Sequence, residues 1–222
     1  MSDEHRCKIL DAAARVYAQV GWRGATTKRI AEAAGVNEVT LFRHFGSKDT
    51  LLHQMLQELS LLGDDIVLPM QVVDPETELL AWAQAHYVRI TQMRAIARQV
   101  ISDAEWRPEV AECATHGPST AAAHLRQYAI VLRRAGHFSP TDDLTPGEIS
   151  AACAMLMGAL FADGMNRDMM PAMFSQPVDE SLRGYVRIFL RAIGVRVTPL
   201  MPTGAGSAAD ASRTSPHFDR TT

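Results

Sequence analysis

Cysteine is scarce in this sequence and forms no paired pattern. The 222 residues hold three, Cys7, Cys113 and Cys153, far apart and without a CxxC. An odd, dispersed set excludes a disulfide framework and fits a reducing compartment. Alternating β-branched runs are nearly absent, which argues against a sandwich or barrel. No stretch approaches the roughly 18 uncharged apolar residues of a membrane span. The N-terminal "MSDEHRCKIL" carries acidic residues and lacks the apolar centre of a signal peptide. The expectation is a soluble cytoplasmic protein with no membrane partner. Catalytic signatures are missing as well. There is no GxGxxG, P-loop or nucleophile elbow, and the eight histidines include no HExxH. Cys113-x-x-His116 has a metal-site spacing but no second ligand pair. "SPTDD" at 139–143 reads as a capped loop. No enzyme, cofactor or metal is expected.

Charge of one sign is also lacking. The net charge is −3, so the whole chain does not advertise a polyanion partner. The balance is uneven, however. Residues 1–50 hold eight Lys and Arg against six Asp and Glu, and the remainder holds fourteen against nineteen. A basic end points toward nucleic acid or membrane contact, although a difference this small also arises by chance.

What is present is helix and core. Apolar residues make up 47% of the chain, and the length allows one large domain or a small plus a medium one. Ile9, Leu10, Ala13, Val16, Tyr17 and Val20 recur at helical spacing behind Asp3, and Gly21 ends that run. "WRGAT" reads as a connector. Thr26 or Thr27 caps a short helix through Ala34, and Gly35 breaks it. Asn37 caps the next helix, with Leu41, Phe42 and Phe45 as its large apolar residues, and Gly46 stops it. Ser47 caps a fourth helix expected to run to about Leu68. Beyond Pro69 the pattern predicts helices near 74–91, 93–104, 107–115, 119–135, 146–168 and 179–193. The fold class is therefore all-α, with about nine helices. The expected divisions are 1–47 for a three-helix head, 48–195 for a larger helical domain, and 196–222 for a disordered tail rich in Pro, Gly, Ala, Ser and Thr.

Two short helices around a glycine turn describe a helix-turn-helix. In that arrangement the second helix enters the major groove while the first braces it. Thr27, Lys28, Thr40 and Lys48 are placed to hold phosphates. Asn37, Glu38, Val39, Arg43 and His44 lie where base edges or flanking phosphates are within reach. The pattern alone also fits a plain helical corner. A helical enzyme or carrier, or an interaction module without operator function, stays open beside it.

The residues "ILDAAARVYAQVGWRGATTKRIAEAAGVNEVTLFRHFGSKDTLL", Ile9 to Leu52, resemble the N-terminal domain of the tetracycline-repressor (TetR) family of bacterial transcription regulators. The resemblance implies that Thr27 and Lys28 touch the DNA backbone. Asn37 to Thr40 and Phe42 to His44 then carry recognition, and Lys48 clamps a phosphate. Val39 departs from the Gly, Ala, Ser or Pro usual at its position, so the operator sequence does not carry over. The stretch from "ARQVISDAEWRPEV" to "GALFADG" is similar to the C-terminal domain of the AefR-like subgroup.

The family implies a homodimer on an inverted-repeat operator, gated by an unidentified small-molecule effector. Dimerisation is expected through the last two long helices. There "AACAMLMGALFADG" is apolar nearly all round and carries the small residues Ala151, Ala154, Gly158 and Ala162. Trp82, His86, Tyr87, Met93, Trp106, Tyr128, Met155 and Phe161 are the candidate pocket residues, although aromatic and Met residues at helical spacing are more often core. The fourth helix, joining both domains, is the expected lever.

Overall fold

The structure is a computed structural model that describes residues 3–136 and 144–197. The 139–143 loop reading and the tail beyond residue 197 lie outside the described residues. Nine helices are found among those described: α1 (Asp3–Gly24), α2 (Thr27–Ala34), α3 (Glu38–Phe45), α4 (Lys48–Leu61), α5 (Pro75–Ala104), α6 (Pro108–Ala114), α7 (His116–Arg134), α8 (Pro146–Asn166) and α9 (Val178–Ala192). The fold is all-α.

Two apolar clusters organise it. The first joins Ile9, Ala13 and Tyr17 of α1, Ile30 of α2, Leu41 and Phe45 of α3, and Leu51, Leu52, Met55 and Leu56 of α4. Val110 of α6 closes it, with Ile96 and Val100 of α5 packed against it. The second gathers Leu79, Trp82, Ala83 and Tyr87 of α5, Leu125, Tyr128 and Leu132 of α7, Leu156 and Leu160 of α8, and Val186, Phe189 and Leu190 of α9. The head core therefore recruits the far end of α5, and α4 packs with the head.

Three elements differ from their sequence expectation. The helices expected at 74–91 and 93–104 are one 30-residue helix. Nothing at Thr91–Gln92 breaks it. The Thr91 hydroxyl donates to the Val88 carbonyl at 2.7 Å, a back-bond that helices tolerate. The fourth helix stops at Leu61 rather than near Leu68, because Leu62 turns extended and Gly63 takes a φ of 97°. Leu68 instead joins the second core. The seventh helix begins at His116, ahead of Ser119. Gly117 and Pro118 suit a first turn that needs few donors, and a Cβ on Gly117 would meet the Ser60 carbonyl at 2.7 Å.

At α1 the break anticipated at Gly21 is real. Its φ of 64° with ψ of −172° is open only to glycine at low cost. One helical turn then follows through "WRG" where a connector was expected. Because the ladder is broken, the Trp22 N–H is released and donates to Asp103 Oδ2 of α5 at 3.1 Å.

The expectation of no membrane span also needs a qualification. By length and composition alone, α8 passes as a span, though 39% of its apolar window is buried within the chain. It packs against α5, α7 and α9.

Candidate functional site

The head presents one polar and apolar face built by two well-capped helices. Thr26 caps α2 by accepting from the Arg29 N–H at 3.3 Å, and Gly35, with a φ of 66°, closes its C-terminus. Asn37 caps α3 by accepting from the Val39 N–H at 2.9 Å. Thr27 Oγ1 donates to Glu38 Oε1 at 2.5 Å, which pins the start of α2 to the start of α3. Thr27 and Glu38 therefore serve each other in the free protein. The bond draws the Glu38 carboxylate toward α2.

Successive α3 residues turn by about 100°. Leu41 and Phe45 face the core, while Val39, Phe42 and Arg43 face solvent, with Thr40 half-buried on the flank. Val39 is 72% exposed and Phe42 46%, an unusual display of apolar surface on so short a helix. Arg43 and, on α2, Lys28 are exposed beside it and form no ion pair among the described residues.

Two expected contacts look different in three dimensions. His44 is half-buried, and its Nε2 is shielded without a hydrogen-bond partner. Burial, then the neighbouring Arg43, lowers its pKa, so it adds no positive charge at neutral pH. Lys48 is half-buried too. Its Nζ donates to the Trp22 carbonyl at 2.7 Å, closing the end of α1. Burial is the chief reason its pKa is lowered.

Trp22 is the centre of the joint between head and body. Its ring is 1% exposed, its Nε1–H donates to Asp49 Oδ1 at 3.0 Å, and the Arg107 guanidinium lies 5.0 Å from its ring centroid. Sequence reading missed this tryptophan, Asp49 and Asp103 altogether. A Trp directly after a helix-ending glycine was the available signal.

The larger body contains a cavity of about 740 Å³ bordered by α4, α5, α7 and α8, with Ala111 of α6 beside them. Of the candidate pocket residues, His86, Met93 and Phe161 line it. Trp82, Tyr87 and Tyr128 do not. They are buried in the second core, where Tyr128 donates to Glu78 Oε2 at 2.5 Å and Tyr87 to Asp163 Oδ1 at 3.1 Å. Trp106 is 78% exposed and sits in a separate surface cleft beside Arg107, and Met155 is 71% exposed on α8. Met155 occupies a face of α8 that turns away, and Trp106 lies in the turn between α5 and α6 rather than on a helix. Conversely Ala154 and Gly158, expected to admit a partner helix, line the cavity wall. Ala151 is exposed and Ala162 half-buried. The Cys113–His116 pair does not converge on a metal-like cluster: Cys113 packs on the head core and His116 Nε2 lies 3.1 Å from Asp64 Oδ2.

His86 is 9% exposed and its ring lies 4.3 Å from that of Trp82. Burial pushes its pKa down to about 4, against a smaller upward pull from the Ile66 carbonyl. An unfolded histidine takes up its proton near 6.5, whereas folded His86 does so only near 4. Protonation thus favours the unfolded chain, and stability falls as pH drops from about 6.5 to about 4. His86→Gln should flatten that decline. Urea midpoints at neutral and mildly acidic pH, compared between the two proteins, check it, and an unchanged slope would refute it.

Comparison with known proteins agrees with this geometry. Residues 9–55 match the model of the tetR family of bacterial regulatory proteins. The chain is 45% identical over 53 residues to the uncharacterized HTH-type transcriptional regulator YvkB of Bacillus subtilis, covering 24% of this chain and 28% of that one. It is 28% identical over 102 residues to the HTH-type transcriptional repressor AcnR of Corynebacterium diphtheriae, covering 46% and 53%. The matches thus span about half or less of these relatives' length. The fatty acid degradation regulator FadR from Bacillus halodurans superimposes with a TM-score of 0.64 at 22% identity, over 86% of this chain and 97% of its own, which establishes a shared fold. The head at residues 9–55 thus matches the tetR family of bacterial regulatory proteins, and the all-α chain around it shares the fold of the solved regulator.

Proposed function

We propose that this chain is a homodimeric, sequence-specific DNA-binding transcriptional regulator that represses from an inverted-repeat operator and is released by a small molecule. The observation that carries the reading is the outward face of α3. Val39, Phe42 and Arg43 stand in solvent on a helix braced from behind by α2, with Lys28 alongside. Apolar side chains flanked by cations suit thymine methyl contact and phosphate or base-edge hydrogen bonding in a major groove.

A single helix reads only a few base pairs. Two heads centred about 34–36 Å apart would read one face of a duplex. Support for pairing comes from α8 and α9, where Met155 on the apolar α8 and Ile188 on the amphipathic α9 are left exposed. Support for gating comes from shared walls. Leu56 of α4 and Ile96 and Val100 of α5 both pack in the head cluster and line the cavity. The lever therefore has two arms, α4 and the last turns of α5, the latter tied to the head through Asp103 and Trp22.

Gel-shift titration against the DNA upstream of the chain's own gene, at several salt concentrations, tests the reading. Binding should fall steeply with salt and require an inverted repeat. Arg43→Ala should weaken specific binding by about 1–3 kcal/mol and relax preference at one base position if it reads a base edge. Binding that ignores both salt and sequence would overturn it.

A further inference from the structure

The charge of the cavity wall restricts what fills it. Apolar side chains of α4, α5 and α8 supply most of the surface, and the lining holds two arginines, Arg89 and Arg126, and no carboxylate. Arg89 is half-buried and spends one guanidinium N–H on the Leu59 carbonyl. Its charge feels Asp64 and Asp65, neither of which borders the cavity. Arg126 of α7 is an exposed residue of the cavity lining, which also includes Ser150 and Ala154 of α8, and has no hydrogen bond or ion pair among the described residues. The remaining polar groups, Ser60, His86, Thr115 and Ser150, are uncharged or, for His86, held neutral by burial. A cation entering this space would lose its hydration and meet only like charge. A neutral apolar molecule would use the wall but gain nothing from the solvated Arg126 guanidinium. A carboxylate at the edge of an apolar body satisfies both the wall and the arginine, by a charge-assisted hydrogen bond stronger than a neutral one.

We propose that the cavity binds an amphipathic organic acid, its apolar body against α5 and α8 and its carboxylate on the Arg126 guanidinium. This inference rests on the reading of the cavity as the effector site and names the effector's class. Arg89 contributes the positive field behind it and, tied to Leu59, is a positioning group for the wall.

A matched set of probes tests it: naphthylacetate, naphthylacetamide and naphthylethylammonium, titrated calorimetrically into the full-length protein without DNA. Naphthylacetate should bind at least about tenfold more tightly than the amide, the worth of one charge-assisted hydrogen bond, and the ammonium should not bind measurably. Arg126→Ala, at an exposed position that leaves the fold intact, should bring acid and amide within about twofold of each other. Arg126→Lys should keep most of the preference. Equal affinities in the native protein, an undiminished preference in Arg126→Ala, or no binding of naphthylacetate would each overturn the inference. Repeating the titration on the protein–DNA complex separates the two levels. Acid binding that depends on Arg126 but leaves DNA affinity unchanged sinks the release mechanism and keeps the site. Sequence-specific DNA binding with no acid binding sinks the site and keeps the regulator.

Discussion

Asp163→Ala is expected to destabilise the protein by about 3–5 kcal/mol, the cost of stripping one partner from a buried ion pair. Asp163 on α8 is fully buried and accepts from Arg167 Nε and a second guanidinium nitrogen at 2.6 Å each, from the Tyr185 hydroxyl at 2.9 Å and from Tyr87 at 3.1 Å. Those bonds reach α5 and α9 from the last turn of α8. Arg167 in turn donates to the Phe174 and Gln176 carbonyls, at 2.9 and 2.5 Å, and to Ser181 at 3.0 Å, which fixes the connection between α8 and α9. Alanine would leave a partly buried guanidinium and two phenols short of the acceptor that the fully buried carboxylate supplies. Asp163→Asn keeps the acceptor oxygen and should cost about half as much. Burial acts to raise the Asp163 pKa, but the bonds from Arg167 and Tyr185 prevail and hold it below the ordinary 3.8. Its contribution is therefore present above that value and is lost as pH falls through the lower folded pKa. Urea unfolding at neutral pH followed by circular dichroism measures the loss. A midpoint unchanged by Asp163→Ala would mean that the network is not what joins α5, α8 and α9.

Trp22→Ala should cost about 3–5 kcal/mol as well, the usual range for emptying a buried tryptophan site, and should abolish operator binding at the same time. The ring fills the gap between α1 and α4, packing edge-on to Tyr17 at 6.4 Å and against His53 at 4.9 Å. Its removal also takes the donor from Asp49 and the stacking surface from Arg107. The backbone bonds to Asp103 and from Lys48 survive in principle, because they use the Trp22 N–H and carbonyl. Trp22→Phe restores most of the volume without the Nε1 donor and should recover all but about 1–2 kcal/mol. Thermal melts and gel shifts on both variants check this. If Trp22→Ala melts like the native protein, the joint lies elsewhere. If it is destabilised yet binds the operator normally at low temperature, Trp22 holds the fold but does not set the head.

The Trp22 result bears on how Lys48 is understood. Sequence position marks it as a candidate phosphate clamp, and in space it caps α1. An ammonium has three donors, so holding the Trp22 carbonyl leaves capacity for a phosphate, but a Lys48 substitution perturbs the head's packing as well as its charge.

Local chemistry made much of the head legible. Thr26, Asn37 and Ser47 cap their helices, Gly35 and Gly46 take positive φ, and Ile30, Ala31 and Leu41 are buried, as spacing and cap residues required. Each of these is decided within about five residues, where propensity and hydrogen-bond geometry act. The cavity residues were less legible. Trp82, His86 and Met93 share one helix, yet Trp82 is core while the other two line the space. Which face of a long helix meets a core and which meets a cavity depends on the crossing of its neighbours, and no spacing rule encodes that.

By itself the sequence determined that the fold is helical, the caps of α2, α3 and α4, and the order of cations and apolar residues along α2 and α3, because these follow from 3.6-residue periodicity and from groups close along the chain. The tertiary structure alone decided that Lys48 turns to a backbone carbonyl, that Glu38 is held by Thr27, that α5 reaches back to grip Trp22, and that Arg89 and Arg126 border a cavity without an acid. Those outcomes join groups from 11 to 81 residues apart, and they depend on burial and on competition for partners that only close packing creates.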